Sequence, residues 1–174
     1  MTVTIRPQHP DDRPAVRALV TAAFGRAVIA DLADALLARG AHAYVADLAG
    51  HVAGHVQLSR SWLDAPARLV EVLVLSPLSV HPLLQGRGVG GALVRHALAE
   101  AAQLGAPVVF LEGSPRYYGR FGFAPARPLG FTAPSVRIPD AAFQVVLLPA
   151  YEPWMTGALV YAEAFWAFDC VGLR

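Results

Sequence analysis

Four glycines in six positions, Gly86, Gly88, Gly90 and Gly91, interleave with Arg87 and Val89 after Gln85. Glycine here lets the backbone turn tightly and leaves only hydrogen on Cα to obstruct a ligand. The segment that follows reads as a helix, so its first amides lack intrahelical partners and its positive dipole end falls at the same place. Main-chain N–H groups arranged this way bind phosphate or pyrophosphate, and Arg87 can add a guanidinium fork. Glycines kept there for packing alone would cost conformational entropy without compensation. Gly86-x-Gly88-x-x-Gly91 also matches the dinucleotide fingerprint, with Glu112 about twenty residues further on. Its position argues against that ligand. His81–Gln85 separate the turn from the preceding strand, two helices and a hairpin come first, and little αβ material remains for a second mononucleotide half.

Other chemistries are thinner. The chain has no lysine, which excludes a Schiff-base or Walker-type lysine. His51 and His55 stand four apart in a strand, about 13 Å, too far to share one ion, and no metal site is expected. His81 reads as a loop residue and His96 as a solvent-facing helix residue. Ser59, Ser61 and Ser76 show no nucleophile elbow. Ser114 before Pro115 reads as a helix cap. Cys170, the single cysteine, reads as a packed thiol that forms no internal disulfide, which fits a reducing, cytoplasmic setting. Trp62, Trp154 and Trp166 read as packing residues.

The elements that must position the glycine turn follow from length and period. A chain of 174 residues with formal charge +1, 55% hydrophobic and 16% charged, predicts one globular domain with a large core. The charge balance excludes a dedicated nucleic-acid binder. No apolar run is long enough to span a bilayer, and no signal-peptide block opens the sequence. Val3–Arg6 reads as a strand. Two helices follow, one carrying Val16, Leu19, Val20 and Phe24, the other spanning Val28–Arg39. Ala43–Asp47 and His51–Leu58 form a hairpin around Leu48-Ala49-Gly50. Leu69–Val80 is β-rich, Gly88–Leu104 helical, and Val108–Leu111 a strand buried on both faces. A short helix at Arg116–Arg120 and strands at Phe143–Leu148 and Ala158–Tyr161 complete a mixed α/β layer fold.

Gln85-x-x-Gly88-x-Gly90, preceded by Leu78-x-Val80-x-Pro82, resembles the pyrophosphate motif of the GNAT superfamily of N-acyltransferases. The hairpin Val45-Ala46-Asp47…Gly50…Gly54-His55-Val56, the opening Ile5-Arg6-Pro7…Asp11, and Tyr117-Tyr118-Gly119-Arg120-Phe121-Gly122-Phe123 resemble further family signatures in the family's order. With Gly113-x-Pro115, the match is closest to a bacterial subgroup of predicted N-acetyltransferases. The similarity covers Val3 to Leu148. It implies a GNAT-like domain over 1–148, with residues 149–174 as a C-terminal strand and aromatic tail packed on it. It also implies a mixed, mostly antiparallel central sheet with a splayed parallel strand pair, Leu78–Val80 and Val108–Leu111, flanked by helices.

The implied activity is acetyl-CoA-dependent N-acetyl transfer, by direct attack, to a primary amine of an unidentified small molecule or peptide. No metal, nucleic acid or membrane is implied, and a homodimer through the C-terminal segment is an open arrangement. By resemblance, Leu78 and Val80 hold the pantetheine arm, Gln85, Gly86, Arg87, Gly88, Val89 and Gly90 cradle the pyrophosphate, and Tyr118 is the general acid. Tyr117 reads as core. The base stays open. Some family members place a Glu where Val74 stands; Glu71 and Glu112 are the candidates here, beside a water relay or an amine arriving neutral. The missing Glu also keeps open a catalytically silent acyl-CoA-binding module.

Overall fold

The computed structural model describes residues 3–172. Along the chain lie β1 (Thr4–Pro7), α1 (Arg13–Phe24), α2 (Ala27–Ala38), β2 (His42–Leu48), β3 (His51–Asp64), β4 (Leu69–Val80) and α3 (Val89–Gln103). Then come β5 (Val108–Glu112), α4 (Pro115–Tyr118), β6 (Ala124–Pro125), β7 (Phe131–Thr132), β8 (Phe143–Leu147), β9 (Gly157–Val160) and α5 (Glu163–Ala167). Two units share them. One takes the chain up to Ser59 with Leu75–Ala99; the other takes Arg60–Val74 and the chain from Glu100 on.

In the first unit β1, β2, β3 and the end of β4 lie in that order. β2 runs antiparallel to both neighbours, with Val45 opposite Ile5's successor Arg6 and opposite His55. Ala49 and Gly50 make the hairpin turn with φ of 51° and 84°, the left-handed geometry that two-residue hairpins need. Apolar residues at helical spacing give α1 and α2 their inner faces, and Val16, Val20 and Ala30 cluster with Val45 of β2. The Arg6 guanidinium ties the chain's start to Asp12 at 2.7 Å and to Asp47 at 3.1 Å.

β3 breaks the alternation of a half-exposed strand, because Ala53–Ser59 are all buried. On one side Gln57 Nε2 donates to Ala33 O of α2 at 3.0 Å. On the other, Gly54 admits α3: a Cβ there would lie 2.8 Å from Leu93 Cδ1 and 3.1 Å from Val89 Cγ1. Close helix–strand packing thus fixes where α3 begins.

In the second unit β4, β5, β8 and β6 are neighbours in that order. β4 pairs in parallel with β5 at Leu73–Val109 and Val74–Phe110, and continues beyond that ladder to Val80. β5 and β8 pair antiparallel from Val108–Leu147 to Glu112–Phe143. Phe110 sits between Phe143, stacked at 5.5 Å, and Phe131, edge-on at 5.1 Å. The end of β3 pairs with β9, and β9 with β7 in parallel.

This is the expected mixed, mostly antiparallel α/β fold. Two-residue β6 and β7 and the helix α5 were not foreseen; β7 and β9 add a second parallel contact. The aromatic tail divides: Phe165 is buried, whereas Trp166 is exposed.

Candidate functional site

The glycine turn is built from the end of β4. His81 N–H continues the main-chain bonding to Ala53 O at 2.9 Å, and His81 Nδ1 accepts from Leu83 N–H at 3.3 Å, capping a 3₁₀ turn over Pro82–Leu84. Gln85 folds back so that its Nε2 donates to Val80 O at 3.3 Å. Gly86 and Gly88 then take φ of +73° and +87°, a region where side chains are strained, and a Cβ at either would meet nothing within 4 Å. The turn therefore needs glycine for its conformation, and it is open on its outer side.

In α3 the amide of Ala92 bonds Gly88 O at 3.0 Å, so the amides of Val89, Gly90 and Gly91 lie ahead of that first bond. Val89 is buried and anchors this end, while Arg87 is exposed beside it. A diphosphate fits the arrangement. It has unobstructed main chain at Gly86 and Gly88, N–H groups at a helix start, a positive dipole end and a guanidinium. Leu78 and Val80 on β4 are half-buried around a buried Ser79.

Tyr118 ends α4 in the second unit. Ser114 occupies the cap position, but its side chain makes no capping bond, contrary to expectation. Its carbonyl instead accepts the N–H groups of Tyr117 and Tyr118, each at 3.0 Å. The Tyr118 ring lies against Gly113, edge-on to Tyr117 at 4.8 Å and to Phe123 at 5.9 Å. Burial, and to a lesser extent Tyr117, pushes the Tyr118 hydroxyl well above the usual tyrosine range. It is a protonated donor across the neutral range. Tyr117 is not the core residue expected: it is half-buried and carries the Arg120 guanidinium 4.5 Å above its ring.

The two carboxylates have different surroundings. Glu71 is exposed and stands 3.6 Å from the Arg60 guanidinium. Glu112 is half-buried; its Oε1 accepts from the Tyr161 hydroxyl at 2.7 Å and its Oε2 from Gly172 N–H at 3.1 Å. Burial raises its pKa against those two bonds. Val74, where some family members carry a Glu, is buried opposite Phe110.

Among the histidines, His96 departs from expectation. It is half-buried and edge-on to Tyr44 at 4.8 Å. His51 is exposed, whereas His55 is fully buried, and burial lowers its pKa to about 4. Among the described residues no three His, Cys, Asp or Glu side chains group as for a metal ion. None of the described helices is long and apolar enough to cross a membrane.

Gly113 entered the sequence analysis only as part of a motif, without a role, and Gln144 did not enter it; the two meet beside Tyr118, where Gln144 Nε2 donates to Gly113 O at 2.9 Å. The available signal was a lone amide in the apolar run Phe143-Gln144-Val145-Val146-Leu147. Tyr161 as the partner of Glu112 had no local signal.

A glycine turn that heads a helix after a β-strand, and a half-buried phenol on a short helix elsewhere in a mixed sheet, agree with the acyltransferase class that the sequence resembles. Residues 4–126 match the family model described as an acetyltransferase (GNAT) domain. The chain belongs to the GNAT family of N-acetyltransferases. It is 34% identical over 160 residues to the uncharacterized N-acetyltransferase YjhQ of Escherichia coli K12, covering 87% of this chain and 88% of that one. Among solved structures it is similar to the Escherichia coli GNAT N-acetyltransferase YhbS in complex with CoA, at 29% identity and TM-score 0.84, covering 94% and 91% of the two chains. A GNAT acetyltransferase from Brucella melitensis in complex with acetyl-CoA matches at 30% identity and TM-score 0.76, covering 94% and 98%.

Proposed function

We propose that this chain transfers an acetyl group from acetyl-CoA to a primary amine of a small molecule or peptide, by direct attack of the amine. The observation that carries the reading is the open turn at Gly86 and Gly88 leading into the start of α3, where the amides of Val89, Gly90 and Gly91 precede the Ala92 N–H bond to Gly88 O. The coenzyme complexes of the YhbS and Brucella relatives support it.

Acetyl-CoA supplies the acetyl group as a thioester. Gln85, Gly86, Arg87, Gly88, Val89 and Gly90 hold its diphosphate. The main chain of Leu78 and Val80 holds the pantetheine arm, and an N–H on that strand polarises the thioester carbonyl. Tyr118 gives its proton to the departing sulfur; its raised pKa keeps the proton in place until then. The amine arrives neutral or loses its proton through water or a carboxylate. Glu71 is exposed for that role, whereas Glu112 already accepts two hydrogen bonds.

The apolar Val74 favours a second reading, a silent acyl-CoA-binding module on the same fold. Calorimetry with CoA, followed by thiol release from acetyl-CoA with a panel of primary amines, separates the two. Binding with turnover supports the transferase. Binding without turnover on any amine supports the silent module, and no binding of CoA overturns both.

A further inference from the structure

We infer that Gly113 and Gln144 are positioning residues that hold the Tyr118 phenol in the orientation from which it donates its proton. The inference rests on Tyr118 being the acid of the proposed reaction.

Gly113 directly follows β5, and the Tyr118 ring occupies the volume a side chain there would fill. A Cβ at 113 would lie 2.8 Å from Tyr118 Cδ2 and closer still to Cε2, with Leu111 Cδ1 at 3.4 Å on another side. The ring is thus seated on bare main chain, and its edges meet Tyr117 and Phe123. Such a seat fixes a ring only if the main chain beneath it is itself fixed. Gly113 N–H donates to Ala142 O at 3.0 Å, and Gly113 O accepts from Gln144 Nε2 at 2.9 Å. Gln144 is fully buried in β8, with its backbone paired to Leu111 on one side and to Pro125 on the other. A buried amide between two strands thereby clamps the carbonyl at the floor of the phenol's seat.

Proton donation needs the donor oxygen within hydrogen-bond reach of the acceptor, and an error near 1 Å in placement costs about a hundredfold in rate. A methyl group at 113 displaces the ring on that scale, because the contacts above are shorter than packed carbon atoms allow. Its effect belongs in kcat, not in coenzyme affinity.

The test is a double-mutant cycle of Gly113→Ala and Tyr118→Phe, with Gln144→Leu alongside, assayed by thiol release from acetyl-CoA with the most reactive amine of the panel. Gly113→Ala should lower kcat about 30-fold with KM for acetyl-CoA within about twofold, and should cost nothing further once residue 118 is Phe. Gln144→Leu should act in the same direction and more weakly. The Phe ring meets the same methyl group, so a folding effect alone would appear in both backgrounds; equal losses in both would overturn the inference. Loss in Tyr118→Phe with none in Gly113→Ala would overturn the positioning role alone. Full activity in Tyr118→Phe would remove the acid assignment and the inference with it.

A second arm needs no turnover. In protein labelled with ¹³C-tyrosine, the Tyr118 ring signal, identified by its loss in Tyr118→Phe, should titrate above the ordinary tyrosine range in the parent. It should titrate at lower pH in Gly113→Ala, where the displaced ring meets water. Unchanged titration in both Gly113→Ala and Gln144→Leu would contradict a positioning role.

Discussion

The turn at 85–90 and the seat of Tyr118 use glycine for opposite ends. At Gly86 and Gly88 the missing side chain gives left-handed backbone and open space above it. At Gly113 the missing side chain makes room for another residue's ring. The first region offers main-chain donors to a large anion and carries little structure of its own. The second is half-buried, and it holds one aromatic ring by packing. Binding can rest on backbone exposed at a helix start, whereas proton transfer needs an atom held in place.

Substitution and pH should separate the two regions. Tyr118→Phe is expected to have the largest effect, lowering kcat about 100-fold or more while CoA affinity by calorimetry stays within about twofold. Next comes acid. His55 is buried neutral, its pKa lowered from 6.5 to about 4 by desolvation against a small opposing pull from Asp34. The unfolded chain binds that proton more readily, so stability is complete above about pH 6.5 and falls as pH drops toward 4, by about 3 kcal/mol in all. Urea unfolding across this range checks it, and His55→Leu should flatten the curve. Over the same range Tyr118 stays protonated, so acid titrates His55 and leaves the donor's own charge unchanged.

Gly54→Ala probes what the turn stands on. Its Cβ would press on Leu93, on Val89 and on Ser79 O at 3.2 Å, a backbone atom that gives little. A loss of about 1–3 kcal/mol by thermal unfolding is expected, with weaker CoA binding as the start of α3 shifts. The smallest effect belongs to Arg6→Ala. It should lower the unfolding midpoint slightly through loss of its partly exposed pair with Asp12, and leave CoA affinity and kcat alone.

The turn was legible in the sequence because its requirement is local. Glycines, a preceding strand and a following helix specify it without reference to the rest of the chain. The same holds for the β2–β3 hairpin, where Ala49-Gly50 stands between two apolar runs, and for α1 and α2 with their spaced apolar residues. The seat was only half legible. Tyr118 came from a signature in the chain, but Gly113 and Gln144 act through contacts made after β5 and β8 pair. His55 and Gln57 lie on one face of β3 and are buried, Gln57 against α2, and a period of two carries no record of that. β6 and β7 are two residues each and exist by pairing with β8 and β9, so no local pattern announces them.

Calorimetry of CoA against pantetheine, which lacks the diphosphate, on the parent protein and on Gly88→Val isolates what the turn contributes to coenzyme binding. CoA should bind the parent at least about 100-fold more tightly than pantetheine does, and Gly88→Val should remove most of that difference while pantetheine affinity holds. Equal affinity for CoA and pantetheine, or CoA affinity unchanged in Gly88→Val, would contradict the turn's role in holding the diphosphate.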